Sequence, residues 1–418
     1  MSFDSLGLEP RLLASVSAMG YAAPTPIQRD AIPQILAGRD VVGVAQTGTG
    51  KTAAFVLPLL QRTPTRRGVR ALIVTPTREL ALQIADVVRD AGRRTGHRAA
   101  VVMGGVGMGP QMAQIRRGVD IVIACPGRLL DLHSRGGVDL SRVETVVLDE
   151  ADRMLDLGFW PDVRRILALL PAGRQNLLFS ATMSPGVLNV VQSTLHDPVR
   201  VEVTPPSTPV ERVEQAVYPV GRDQKTDLLV ELLKRGGLTR TLVFARTQHR
   251  ADRLHRLLER RGVKSAAIHG GRSQNQRQAA LEAFKSGRSH VLVATDVVGR
   301  GIDIDEVSHV VNYDLPNTPE DYVHRIGRTA RAGASGTAIS FLAAEEMATF
   351  TAIERTLGER LPCHDLDGFD YAHREVPAAD RDVVKKGAGN HAPGAKPAGR
   401  SGRRGGRGRA GGAGRAAR

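Results

Sequence analysis

The sequence predicts an α/β protein of two tandem parallel sheets, each flanked by helices, followed by a basic tail. Three observations carry this. Short apolar, β-branched runs recur between amphipathic segments, the whole series occurs twice, and the last stretch loses its hydrophobic periodicity. At 418 residues the chain also exceeds what one hydrophobic core normally fills.

In the first series, Asp40 to Ala45, Arg70 to Thr75, Asp120 to Ala124, Thr145 to Leu148 and Asn176 to Ser180 read as strands buried on both faces. Amphipathic segments such as Thr77 to Asp90 and Pro161 to Leu170 suit the crossover helices between them. The second series runs Thr241 to Ala245, Ser265 to His269, His290 to Thr295, His309 to Tyr313 and Thr337 to Leu342, with helices at Gln248 to Arg261 and Gln274 to Ser286. Between the series, Pro205, Pro206 and Pro209 favour an extended connector, so the expected division is 1–204, a linker at 205–210, and 211–371. From 372 to 418 little remains that could bury a core, and disorder is expected.

Charge is uneven. Residues 381–418 hold eleven Lys and Arg against Asp382 alone, about +10 of the formal +15. Such a patch favours a polyanion, because bound phosphates release condensed counterions. Nucleic acid fits better than a membrane, since Arg alternates with Gly and Ala and no bulky apolar face is present. Cys125 and Cys363 are too few for a disulfide framework, the N-terminus lacks a signal-peptide pattern, and no stretch approaches eighteen uncharged apolar residues. A cytoplasmic protein without a membrane partner is expected. His269, His290 and His309 have no companion Cys or His at metal spacing, so no zinc is expected either.

The segment Ala45-Gln46-Thr47-Gly48-Thr49-Gly50-Lys51-Thr52 follows an apolar strand and opens a helix, the context of a phosphate loop. Its glycines let backbone amides approach phosphates, Lys51 neutralises β- and γ-phosphate charge, and the Thr52 hydroxyl suits Mg²⁺. Ala45 stands where the first glycine of the strict pattern is usual. Asp149, Glu150 and Asp152 lie just beyond a strand, where an open α/β sheet places its ligands. Asp149 suits the Mg²⁺ shell, Glu150 suits the base that orients and deprotonates water, and Asp152 is free to bond outward to other motifs. Alone, these acids would equally read as a helix cap. Arg325, Arg328 and Arg331 recur every three residues on roughly one helical face. Arg328 and Arg331 suit arginine fingers on a γ-phosphate; a solvated basic face is the plainer alternative.

Asp149 to Asp152 spells Asp-Glu-Ala-Asp, and the whole set, from Phe3 to about Gly333, resembles the DEAD-box RNA helicases in the order of the motifs. The resemblance implies two RecA-like domains that close together on ATP, Mg²⁺ and single-stranded RNA. It implies RNA-stimulated ATP hydrolysis, with local unwinding of short duplexes or remodelling of ribonucleoprotein. Phe3, Tyr21 and Gln28 correspond to the adenine-reading element, and the Gln28 amide offers the donor and acceptor that adenine needs. Thr77, Arg78, Gly104, Gly105, Pro126, Gly127 and Arg128 correspond to RNA contacts in the first domain; Arg246, Gln274, Arg277, Thr295 and Asp296 do so in the second. Asp303 would approach the ribose. Ser180, Thr182, Arg300 and His324 join Asp152 as coupling residues. Cys125 stands where threonine is usual, Val297 where alanine is, and Ala330 where glycine is. Almost all of these contacts are to the RNA backbone, so the target is not specified; ribosomal particles and RNA-decay complexes are candidate partners.

Removal of residues 381–418 is predicted to lower RNA affinity and flatten its salt dependence by roughly 0.7 log units per lost phosphate contact. Binding isotherms across a salt series check this, and an unchanged slope would assign the tail elsewhere.

Overall fold

A strand that is apolar at every position needs cover on both faces, and the strands of this protein lie between two layers of helices. The computed structural model describes residues 2–46, 48–65, 68–203, 213–236, 238–296, 307–330 and 336–371. The first sheet comprises β1 (Val41–Val44), β2 (Ala71–Val74), β3 (Ala99–Val102), β4 (Ile121–Ala124), β5 (Thr145–Leu148), β6 (Gln175–Ser180) and β7 (Val199–Glu202). Its order is β3-β4-β2-β5-β6-β1-β7, and every pairing is parallel. Val41, Ile73, Ile121 and Val147 pack one face against helices Pro26–Leu36, Lys51–Arg62 and Arg78–Ala91. Val42, Leu72, Val122 and Val146 pack the other, against helices Pro126–Ser134 and Trp160–Ala168, with Trp160 docked beside them.

Register decides where chemistry can gather. Val44 lies opposite Ser180, and Leu148 opposite Leu178, so the carboxyl ends of β1, β6 and β5 stand side by side. The phosphate loop, the Ser180 segment and the acidic tetrad therefore emerge together.

The second sheet comprises β8 (Val213–Pro219), β9 (Thr241–Phe244), β10 (Ser265–Ile268), β11 (Val291–Ala294), β12 (His309–Asn312) and β13 (Gly336–Leu342). Its order is β10-β11-β9-β12-β13-β8, again wholly parallel. The open edge at β8 is covered by the chain beyond the last helix: the Val217 N–H donates to the Pro362 carbonyl at 2.9 Å, and the His364 N–H to the Val217 carbonyl at 2.7 Å. Both sheets fall within one compact unit.

Strands β3, β7 and β8 extend the set read from sequence. The first two lie on sheet edges: β3 is a short alanine-rich run, Ala-Ala-Val-Val, half-buried at alternate positions, and β7 is Val-Arg-Val-Glu, whose apolar run is broken. The proline connector at 205–210 and the tail at 372–418 lie outside the described residues. Among the described residues no helix is long and apolar enough to cross a membrane.

Candidate functional site

β1 turns sharply into the helix Lys51–Arg62. Gly48 and Gly50 hold φ values of 82° and 90°, the left-handed region that glycine enters without strain. At Gly50 a Cβ would also collide with the Gln28 amide. That amide is stitched to the loop: Gln28 Nε2 donates to the Gly50 carbonyl at 3.1 Å, while Oε1 accepts from the Thr25 N–H at 3.0 Å. One donor and one acceptor of Gln28 remain for a ligand. The Ala45 N–H donates to the Ser180 carbonyl at 3.1 Å, and Thr49 Oγ1 to the Gln46 carbonyl at 2.7 Å, closing the loop. Phe3, buried in the first core, stacks on Tyr21 with ring centres 6.4 Å apart. Thr47 lies outside the described residues.

Lys51 opens the helix, is 7% exposed, and its Nζ has no hydrogen-bond partner among the described residues. A buried ammonium is costly unless an anion meets it, and this one sits at a helix N-terminus that also attracts anions. Thr52, partly buried, follows it. Burial pushes the Asp149 carboxyl up to about 7, the Lys51 ammonium working against that and the Glu150 and Asp152 carboxylates with it. This donor set fits a divalent cation carried with a polyphosphate: a hard carboxylate that positive charge would ionise, beside an ammonium short of an anion.

Glu150 turns the chain from β5 into the helix Ala151–Asp156 with φ 53° and ψ 53°. The left-handed region is rare for such a residue and costs of order 1 kcal/mol or more, a strain typical of functional sites. Its N–H donates to Asp149 Oδ1 at 2.9 Å. Asp152 reaches the end of β6: its Oδ2 accepts from the Ala181 and Thr182 N–H groups at 3.0 Å each and from Thr182 Oγ1 at 3.2 Å. The acidic tetrad is thereby tied to the Ser180-Ala181-Thr182 segment. Ser180 is fully buried, and its hydroxyl has no partner among the described residues.

A second group lies beyond β2, β3 and β4. Thr77 caps the helix Arg78–Ala91, its Oγ1 accepting from the Leu80 N–H at 3.3 Å. The Arg78 guanidinium lies against Gly104 and Gly105, and at Gly105, where φ is 76°, a Cβ would collide with it. Arg128 Nη1 donates to the Val106 carbonyl at 2.9 Å, which brings Arg128 to the same loop from the helix that Pro126 and Gly127 open. Cys125 caps that helix without a side-chain hydrogen bond; burial and the nearby Glu79 push its thiol up to about 12.

In the second sheet, Arg246 donates to Glu346 at 2.9 Å yet keeps 43% of its side chain exposed. Thr295 is buried past the end of β11, and Arg325 grips the carboxylate of Asp296 at 2.6 and 2.8 Å. Arg325 is fully buried and also donates to Asn312 Oδ1 and the Asp314 carbonyl, so the first of the three periodic arginines is a strut. Side-chain contacts join the sheets. Glu79 is ion-paired with Arg277 and accepts from Gln274 Nε2 at 3.4 Å. Arg153 donates to Glu150 Oε2 at 3.3 Å and to the Asp296 carbonyl at 3.5 Å. Close by, a cavity of about 20 Å³ is lined by Glu150, Asp152, Arg153, Ala181, His324 and Arg328. That volume is about right for one water. Arg300, Asp303 and Arg331 lie outside the described residues.

A family model described as DEAD/DEAH box helicase matches residues 25–190, and one described as helicase conserved C-terminal domain matches residues 224–333. The ATP-dependent RNA helicase RhlB of Pseudomonas syringae is 43% identical over 372 residues, covering 86% of this chain and 94% of that protein. This chain belongs to the DEAD-box RNA helicases. The similar helicase CshA of Listeria monocytogenes is 42% identical over 360 residues, covering 86% of this chain and 69% of CshA. S. cerevisiae Dbp5 bound to RNA and ADP BeF3 superposes with a TM-score of 0.80 at 33% identity, over 92% of this chain and 98% of that one. Mss116p bound to ssRNA and AMP-PNP gives 0.79 at 28% identity, over 88% and 80%. The two parallel-sheet domains are thus RecA-like.

Three buried residues of this DEAD-box protein carried no role in the sequence reading: Glu79, Arg153 and Arg325. Glu79 and Arg153 looked like ordinary helix charges and Arg325 stood out only by its spacing from Arg328 and Arg331; the long-range partner gives each its place. The departure at Ala330 has a structural meaning, since its φ is 55°, the left-handed region in which the usual glycine is free and alanine is strained. Ala330→Gly is predicted to stabilise the protein by up to about 1 kcal/mol, the relieved strain being offset in part by added unfolded-state entropy. Urea unfolding checks this; a lower midpoint for the variant would contradict it.

Proposed function

We propose that this chain hydrolyses ATP in response to single-stranded RNA and uses the cycle to open short duplexes or remodel ribonucleoprotein. One observation carries the reading: acids of the first sheet, Glu150 and Asp152, share a small cavity with His324 and Arg328 of the second, beside a buried Lys51 without a partner among the described residues. Neither half alone holds both sets. Seating the halves together completes the site, so whatever favours the seated form favours turnover.

In this reading Gln28, with Phe3 and Tyr21, holds adenine, and the loop Ala45 to Thr52 wraps the phosphates. Lys51 meets the β- and γ-phosphates, while Arg328 and Arg331 meet the γ-phosphate from the other half, with Asp303 at the ribose. Asp149 and the Thr52 hydroxyl would hold Mg²⁺, which supplies positive charge to the phosphate oxygens. Glu150 orients and deprotonates the attacking water. Asp152 relays the state of the tetrad to Ser180 and Thr182, with Arg300 and His324 completing the coupling set.

RNA runs over the carboxyl ends of both sheets. Thr77, Arg78, Gly104, Gly105, Pro126, Gly127 and Arg128 hold its backbone on one side; Arg246, Gln274, Arg277, Thr295 and Asp296 do so on the other. The buried pair of Arg277 with Glu79 supports this placement, because it ties the two groups into one surface. The division into 1–204, 205–210, 211–371 and a basic tail at 372–418 belongs to the same reading. The tail's charge and the two-cysteine composition support work in the cytoplasm on ribosomal or RNA-decay particles.

Strand displacement from a short RNA duplex tests the proposal. Lys51→Ala is expected to weaken ATP binding, whereas Glu150→Gln should keep binding and cut turnover about 10²- to 10⁴-fold, with displacement falling in step. Displacement by Glu150→Gln at undiminished multiple-turnover rate would instead make the protein an RNA chaperone.

A further inference from the structure

Arg153 lies one turn beyond Glu150 on the helix Ala151–Asp156, and its side chain is 5% exposed. Its guanidinium fork ends on two bodies. One tip donates to Glu150 Oε2 at 3.3 Å; the other reaches the backbone carbonyl of Asp296, beyond β11 of the second sheet, at 3.5 Å. That carbonyl does not move alone. Arg325 clamps the Asp296 carboxylate at 2.6 and 2.8 Å from the helix Pro319–Ile326, and this helix also carries His324 and leads into Arg328. Arg153 thus spans the gap between the acidic tetrad and the element that presents the arginine finger.

We infer that Arg153 is a positioning residue: it holds one oxygen of the Glu150 carboxylate when the two sheets are seated together, and so aims the other at water. The inference rests on the reading of Glu150 as the base. Glu150 keeps only 12% of its side chain exposed and has a constrained left-handed backbone, so few orientations are open to it, and one bond to Oε2 selects among them. Both Glu150 and Arg153 line the cavity of about 20 Å³ together with His324 and Arg328, which puts the selected carboxylate where the second half delivers its charge. A planar fork suits this task because its tips are fixed relative to each other; a lysine has a single point of charge and would serve one partner at a time. When the sheets part, the Asp296 carbonyl leaves and the fork loses its second anchor. The base is then no longer aimed, and water in the site is not activated.

The test is a double-mutant cycle on the full chain, read as kcat and KM for ATP at saturating single-stranded RNA. Arg153→Ala is expected to lower kcat about 10- to 100-fold, the scale of a misplaced catalytic group, while KM for ATP changes less than about threefold. Arg153→Lys should recover part of that loss; it also guards against a folding failure of the alanine variant, because it keeps the buried charge, and its thermal midpoint should match the parent's. In a Glu150→Gln background, Arg153→Ala should cost nothing further, since the group it aims is gone. A loss of the same fold in both backgrounds, or a loss confined to KM, would overturn the inference while leaving Glu150 as the base. Wild-type turnover in Glu150→Gln itself would overturn the reading of Glu150 and this inference with it.

Discussion

Buried charge at the carboxyl ends of two parallel sheets is the constraint on which this structure depends. A parallel sheet sends every connection to a helix from the same end, so loops with functional side chains collect there, in a partly desolvated place. Charges in such a place must be paired or met by a ligand. The protein meets the requirement unevenly. Arg325 has four of its five N–H donors met by Asp296, Asn312 and the Asp314 carbonyl, and is a fixed strut. Lys51 is buried with no partner among the described residues, and the Asp149 carboxyl has been driven up to about 7 by burial. Satisfied charges build the frame, and unsatisfied ones are left for a ligand to meet.

The same logic explains why the seam between the sheets carries so much. Glu79 meets Arg277 and Gln274 across it, all largely buried, and Arg153, paired with Glu150 on the first half, reaches the Asp296 carbonyl on the second. Removing one partner of a buried pair costs more than the pair contributes, typically about 3–5 kcal/mol, so each half is poorer without the other. Asp152 is tied to the end of β6 by accepting three hydrogen bonds from Ala181 and Thr182. A seam built in this way responds as a unit to anything that seats or parts the sheets, which is what a cycle of binding and release requires.

Much of this was legible in the sequence, and the remainder failed for identifiable reasons. β1, β2, β4 and β5 were readable because nearly every residue is apolar, the pattern of a strand covered on both faces, and β6 by the Leu-Leu-Phe run at its centre. β7 and β8 were not, because they mix polar and apolar positions, as in Val-Arg-Val-Glu, and β3 was not because its short Ala-Ala-Val-Val run is half alanine, a residue depleted in strands. The phosphate loop and the acidic tetrad were readable because their chemistry is local, several residue types held at fixed short spacing. Glu79, Arg153 and Arg325 were not, because each acquires its meaning from a distant partner: 195 residues away for Gln274 with Glu79, 143 for Arg153 with Asp296, 29 for Arg325 with Asp296. Gln28 falls between the two. Its amide chemistry is visible in the sequence, but its bond to the Gly50 carbonyl, which ties the helix Pro26–Leu36 to the loop, appears only in the fold.

The central claim is that the loop from Ala45 to Thr52 is half of a site and that RNA completes it by seating the second half. Steady-state ATP turnover of the full chain, at saturating ATP across a titration of single-stranded RNA, tests that claim most directly. Turnover should start near zero, rise with RNA and saturate as the seated form fills. Turnover already maximal without RNA, and indifferent to its addition, would contradict the account.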